Sequence, residues 1–341
     1  MTTAHDLPLD RLDSWLRDHV EGFRGPFAAE RFTGGQSNPT YQLEAASGLY
    51  VLRKKPPGPL LPSAHAVDRE FRVMRALAAT PVPVPRVYAL CDDDGVIGSA
   101  FYVMQFLDGR IFWEQHLPGV APSERAAMFD SMNAVIAALH SVDYAAVGLG
   151  DFGRPGNYMA RQIARWSRQY RASETEAIAA MDALIDWLPQ HLPEESAPGI
   201  VHGDYRMDNL VFHKTEPRVI GILDWELSTI GDSLADFAYH AMSWRVTPEL
   251  FRGLAGIDFA AAGIPDEAAY VAAYCRRTGR DGVAAWEFYM VYSLFRIAAI
   301  VQGIAKRAIE GTAASHEAGE VGRLARPFAE QAWELARSLY G

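Results

Sequence analysis

The sequence predicts an α+β protein of two lobes, a small β-rich N-terminal lobe (residues 1–107) and a large, mainly α-helical C-terminal lobe (residues 108–341). Three observations predict it. A chain of 341 residues is long enough for about two domains of roughly 150 residues, or for one enzyme of two lobes. The first hundred residues read as short β runs punctuated by Gly and Pro, whereas nearly everything from Ser123 onward reads as helix. That helical stretch is broken near 199–226 by two short β-like runs, IVHGD and VIGILDW.

Taken in order, Leu9–Val20 predicts a helix, with Asp10 as its cap and Leu12, Trp15, Leu16 and Val20 on one face. AERFTGGQSNPTYQLEAASGLYVLRKKP predicts two strands, a glycine turn, a return strand, and a further turn and strand. His65–Ala79 predicts a second helix, striped by Phe71, Met74 and Leu77. The proline-stiffened PVPVPRVYAL leads into a strand, CDDDGVIGS is a turn, and FYVMQFLDG is a strand ending in glycine. Met104–Gly109 then connects the lobes. No repeat or low-complexity segment interrupts this plan.

Composition narrows the function classes. Hydrophobic residues make up 49% and charged residues 22%, which suits a chain that buries a large core and excludes disorder. Thirty-two basic residues against 42 acidic ones give a net charge of −10, the wrong sign for a protein that grips nucleic-acid phosphates. Cys91 and Cys275 match neither a disulfide framework nor a metal spacing, so a reducing, cytoplasmic location is expected. The N-terminus lacks a basic start followed by an apolar run, and so does not read as a signal peptide. Val283–Val301 approaches the length of a membrane span. Its charges Glu287 and Arg296 are nine residues apart, on opposite sides of a helix at about 100° per residue. That places it inside a helical lobe rather than in a bilayer.

The chemistry is concentrated in VHGDYRMDNLVFH (Val201–His213) and VIGILDWE (Val219–Glu226). They set Asp204, Asn209 and Asp224 around two short strands. Phosphoryl transfer needs one carboxylate to orient and deprotonate a hydroxyl, and an amide plus a second carboxylate to hold Mg²⁺. Mg²⁺ prefers oxygen ligands and commonly shares the substrate's phosphates, so Asn and Asp suit it.

HGDxxxxN followed by a strand ending in Asp resembles the aminoglycoside phosphotransferase and choline-kinase-like branch of the protein-kinase fold. There HGD stands for the protein kinases' HRD, and DW for DFG. The resemblance implies a protein-kinase-like two-lobed fold, Asp204 as catalytic base, and Asn209 and Asp224 as metal ligands. FTGGQSNPTYQLE resembles the family's nucleotide-covering hairpin, with backbone groups near Gly35, Gln36, Ser37 and Asn38 approaching the phosphates. YVLRKK resembles the strand that supplies the basic residue for the α- and β-phosphates. Aligning VLR with VAIK selects Arg53, with Lys54 the alternative if the register slips by one. Glu70 is the implied partner of that residue, ahead of Asp68. FYVMQFLDGR resembles the adenine hinge, with Met104 lining the pocket and Gln105 and Leu107 offering C=O and N–H. In GDSLADFAYH, Asp232 resembles a cap and Asp236 the buried aspartate that ties down the catalytic loop. His202 is read as a packed core histidine.

These parts imply transfer of the γ-phosphate of ATP or GTP, with Mg²⁺, to a hydroxyl of a small molecule, with no nucleic-acid or membrane partner. Tyr289, Tyr292 and Arg296 fall on one helical stripe. If that stripe faces the cleft, its guanidinium, with Arg206, suits an anionic acceptor, and Tyr205, Trp225, Tyr239 and Trp244 supply apolar walls. The run from SNPTYQLE to DREFRV also resembles a subgroup found fused to acyl-CoA dehydrogenases, which implies a hydroxy acid or hydroxyacyl-CoA acceptor. The alternatives are an aminoglycoside 3′-type resistance enzyme and a nucleotide-binding pseudokinase. The intact Asp204, Asn209 and Asp224 set argues against the pseudokinase. The absence of HRD, DFG and APE segments argues against a protein kinase.

Overall fold

The computed structural model describes residues 2–3, 7–32, 38–56, 66–312 and 318–339. The strands in chain order are β1 (Thr2–Thr3), β2 (Phe27–Arg31), β3 (Thr40–Ala45), β4 (Gly48–Lys54), β5 (Val87–Cys91), β6 (Phe101–Gln105), β7 (Gly109–Arg110), β8 (Pro198–Val201), β9 (Leu210–His213), β10 (Val219–Ile222) and β11 (Thr229–Asp232). The chain divides into two compact units. One comprises residues 1–111, 147–149 and 209–228; the other comprises 112–146, 150–208 and 229–341.

The first unit is built on an antiparallel sheet of order β1-β2-β3-β4-β6-β5. Among the described residues of the segment 29–56 there are parts of three strands, β2, β3 and β4, against the four its turn signals suggest. Side-chain parity along the strands decides what each face carries. Tyr41 and Leu43 of β3, Tyr50 and Leu52 of β4, and Phe101 and Val103 of β6 join Leu12 and Leu16 of helix α1 (Leu9–His19) in one core. Leu12 and Leu16 are one turn apart, so they share the buried stripe of α1. Asp10 is not the cap of α1. Pro8 takes that position, and Asp10 lies in the first turn, where an acid suits the helix dipole. Helix α2 (Val67–Leu77) packs with β5 and β6 and with the turn Trp225–Leu227. CDDDGVIGS is more than a turn, since Asp93 caps a single helical turn, α3 (Asp94–Ile97). A smaller antiparallel sheet of order β10-β9-β7 belongs to the same unit.

The second unit is helical apart from the two-stranded β8–β11 ribbon. Its longer helices are α4 (Pro122–His140), α5 (Tyr158–Ser173), α6 (Ala179–Trp187) and α7 (Ser233–Ala241). The short α8 (Pro248–Phe251) and α9 (Phe259–Ala262) precede α10 (Glu267–Thr278) and α11 (Trp286–Ile309), with α12 (Ala318–Gly322) and α13 (Ala325–Ser338) last. The apolar segment first read at 283–301 is α11, long and apolar enough to cross a membrane, yet 83% of its most apolar window is buried within the protein. It is the core helix of this unit, packed against α5, α7, α12 and α13.

Candidate active site

The first unit gathers a cluster around Arg53. Arg53 pairs with Tyr102 across the β4–β6 ladder, and both project to the face that α2 covers. Its Nη2 lies 2.6 Å from Asp224 Oδ1, its Nε 3.1 Å from Glu70 Oε2, and Nη2 3.7 Å from Glu226 Oε2. Glu70, only 1% exposed on α2, also accepts from Asn38 Nδ2 at 2.8 Å and from the Tyr102 hydroxyl at 3.1 Å. Lys54 pairs with Phe101 and belongs to the opposite face, so strand parity makes Arg53 the basic residue of this cluster.

The electrostatics are lopsided. One guanidinium meets three carboxylates. Burial works against the Arg53 charge, but Glu70 and Asp224 hold it protonated above the ordinary arginine range. Burial raises Glu70 to about 7; Arg53 opposes this, while Asp224 and Glu226 add to it. The surplus of negative charge is what a divalent cation would offset.

Asp224 sits in the left-handed region at φ 62°, ψ 65°, a conformation that Asp tolerates better than most residues. The register explains its neighbour. Ile222 pairs with Leu210, and the Leu223 amide donates to the Asn209 carbonyl at 2.8 Å. Asn209 and Asp224 therefore flank the same open end of the β9–β10 hairpin. The donor set, one amide oxygen and one carboxylate beside an acidic surplus, suits Mg²⁺ that keeps water and phosphate oxygens as its other ligands. Among the described residues no three His, Cys, Asp or Glu side chains converge as a self-sufficient metal site.

The hinge candidates lie on the same unit. Met104 is buried on β6, the Gln105 amide donates to Arg86 O at 2.8 Å, and Leu107 packs over Gly221, where any side chain would collide with it. Gly35 and Ser37, with Gln36, lie outside the described residues. Asn38 is described, and its side chain serves Glu70.

In the second unit the loop after β8 carries Asp204. Asp236 of α7 accepts the His202 and Gly203 amides at 2.7 and 2.8 Å, and His140 Nε2 lies 3.2 Å from it. Burial disfavours its charge, but His140 and the His202 amide keep Asp236 below the usual carboxylate range. His202 is fully buried, as expected of a core histidine, and its Nδ1 accepts the Asp204 amide at 3.2 Å. Asp232 caps α7 through the Leu234 amide. Arg206 Nε lies 3.2 Å from Asp204 Oδ1, and Arg206 Nη2 lies 2.9 Å from Asp208 Oδ2. Burial raises Asp208, with Arg206 opposing. The Arg206 guanidinium also lies over Phe251, and the adjacent Arg252 lies over the exposed Trp113.

The aromatic stripe departs from the expectation. Tyr289, Tyr292 and Arg296 face the interior of this unit rather than a cleft. Tyr289 donates to Asp232 at 2.8 Å, Tyr292 is buried, and the Arg296 guanidinium donates to the Gly203 carbonyl beneath the ring of Tyr239. Trp225 is no acceptor wall either: its indole N–H donates to Ile222 O at 3.0 Å and the residue is buried, as are Tyr205, Tyr239 and Trp244. A long apolar helix buries every face, so helical spacing alone could not say which stripe meets solvent. The reading also missed Tyr102 and Glu226. Tyr102 was accessible from strand parity with Met104; Glu226 required the tertiary turn.

Comparison with known proteins bears on the family and the fold. The sequence profile of the phosphotransferase enzyme family matches residues 28–289. The chain is 45% identical over 333 residues to acyl-CoA dehydrogenase family member 10 of Mus musculus, covering 97% of this chain but only 31% of that protein. It is 56% identical, with a TM-score of 0.90, to the crystal structure of a putative aminoglycoside phosphotransferase from Ralstonia eutropha JMP134, over 97% of this chain and 99% of that one. A mutant of aminoglycoside phosphotransferase APH(4)-Ia, in complex with ADP and hygromycin B, shares the fold at 14% identity and a TM-score of 0.61, over 96% and 98% of the two chains.

Proposed function

The chain belongs to the phosphotransferase enzyme family, and from that premise we propose that it moves the γ-phosphoryl group of ATP to a hydroxyl of a small anionic acceptor, a hydroxy acid or its CoA thioester. The observation that carries this reading is the Arg53 guanidinium held between Glu70 and Asp224. Three side chains from three separate motifs meet there in the arrangement that phosphate binding needs.

In this reading Glu70 orients Arg53 toward the α- and β-phosphates, and Asn209 and Asp224 hold Mg²⁺. The metal, when bound, offsets charge on the phosphate oxygens. Asp204 orients the acceptor hydroxyl and takes its proton as the oxygen bonds to the γ-phosphorus. The bond to the bridging oxygen breaks and ADP leaves. Met104, Gln105 and Leu107 serve the adenine.

The acceptor class is supported by Arg206, whose Nε lies 3.2 Å from Oδ1 of the proposed base Asp204. A guanidinium there suits a carboxylate or phosphate and repels a polycation. The name of the mouse relative points toward acyl thioesters. The test is phosphate transfer from Mg-ATP to a panel of aminoglycosides and of hydroxy acids with their CoA esters, with Asp204→Ala alongside. Transfer to the acids alone is expected. Transfer to aminoglycosides would overturn the acceptor class, and nucleotide binding without transfer to either would favour a pseudokinase.

A further inference from the structure

The loop segment His202–Gly203 is gripped from two sides within the helical unit. Asp236 takes the amides of His202 and Gly203 at 2.7 and 2.8 Å, and Arg296 donates Nη2 to the Gly203 carbonyl. Gly203 has φ +85°, a conformation that side-chain-bearing residues rarely adopt. Arg296 is an unusual choice for a structural hydrogen bond. It is 6% exposed, and its guanidinium lies 4.0 Å from the Tyr239 ring centroid and 5.3 Å from that of Trp166. Its Nε, also buried, has no hydrogen-bond partner among the described residues. Aromatic faces and a carbonyl dipole thus hold a cation at a cost that a neutral side chain would avoid.

From this geometry we infer that Arg296 is a positioning residue for Asp204, clamping the Gly203 carbonyl from behind the loop, and that it does not contact the acceptor. The inference rests on the proposed role of Asp204. Between them, a buried anion on α7 and a buried cation on α11 bind the donor and acceptor sides of one loop, with Tyr239 as the lid on the cation.

The test compares Arg296→Met and Arg296→Lys with wild type in the full chain, measuring kcat and KM for Mg-ATP and for the acceptor found by the panel. Amide hydrogen exchange at residues 202–205 is measured in parallel. For Arg296→Met, kcat is expected to fall by about tenfold or more with both KM values within about twofold, the mark of lost transition-state geometry. Exchange at those amides is expected to quicken by about tenfold. Arg296→Lys, which keeps a charge beneath Tyr239, should recover part of kcat. A rise in acceptor KM at unchanged kcat would make Arg296 an acceptor ligand and overturn the inference, as would unchanged kcat with unchanged exchange. If Arg296→Met does not fold, Arg296→Lys decides: reduced kcat at constant KM supports the clamp, and wild-type kinetics overturn it. If wild type itself transfers phosphate to nothing, the proposed function has failed, and the exchange measurement alone still upholds or overturns the clamp.

Discussion

Arg53 and Asp224, 171 positions apart in the chain, meet at 2.6 Å, and that contact joins strand β4 to the turn after β10. Arg53 is simultaneously the counter-ion of the buried Glu70. Removing the cation leaves three carboxylates facing one another. Arg53→Met should therefore destabilise the protein, at the lower end of the ~3–5 kcal/mol seen when one partner of a buried pair is lost, because Asp224 remains partly solvated. Chemical denaturation reads this directly, and a stability equal to wild type would refute it.

Asp224→Asn tests charge separately from backbone. Asn tolerates the left-handed conformation at least as well as Asp, so any fall in melting temperature reports the lost ion pair with Arg53 and not backbone strain. The variant's affinity for nucleotide in the presence of Mg²⁺ should drop by about tenfold or more, equivalent to ~1.4 kcal/mol. Calorimetric titration with and without Mg²⁺ checks this; equal affinities would remove Asp224 from the metal site.

Glu70 makes stability depend on pH. Its folded-state value is raised to about 7 from an ordinary 4.5, with burial the main cause. The folded chain thus holds the proton more tightly than the unfolded chain between those values. The contribution of Glu70 is fully present below 4.5 and is lost as pH rises through 7. The melting temperature of the metal-free protein should fall by a few degrees between about pH 5 and pH 8, and Glu70→Gln should flatten that slope. A slope that survives in the variant would assign it to other groups.

Asp204→Ala should lower kcat by about 10²–10⁴-fold, the usual worth of a positioned general base. Nucleotide affinity should stay within about twofold, since Asp204 is assigned to the acceptor and not to the donor. Turnover at the wild-type rate would end its assignment as the base.

Gly109→Ala probes the connector. A Cβ there would lie 2.3 Å from the Phe212 carbonyl oxygen, and backbone cannot swing aside as a long side chain can. A loss of about 1–3 kcal/mol is expected from such overpacking, read as a lower melting temperature. An unchanged melting temperature would show that the β7–β9 pairing is loose.

The motifs that hold the candidate site residues were legible because each is local. HGDYRMDN places its own Asp and Asn at a strand-flanking turn, and the alternation of β4 restricts its basic residues to two faces. Asp236 and His202 were also readable, since a buried acid that accepts backbone amides and a buried, packed histidine hold such a loop in place. Asp10 was misread because any acid near a helix start resembles a cap until the backbone shows which residue precedes the first turn.

Local order of residues thus decided the elements, the family and the candidate site residues, since strand parity, helical period and turn chemistry act over a few residues. Tertiary structure alone decided which charges meet. It chose Arg53 over Lys54, surrounded that one cation with Glu70, Asp224 and Glu226, and turned the Tyr289, Tyr292 and Arg296 stripe inward. Those outcomes depend on packing between segments as much as 171 residues apart, where burial sets both the strength of a charge pair and the cost of leaving it unpaired.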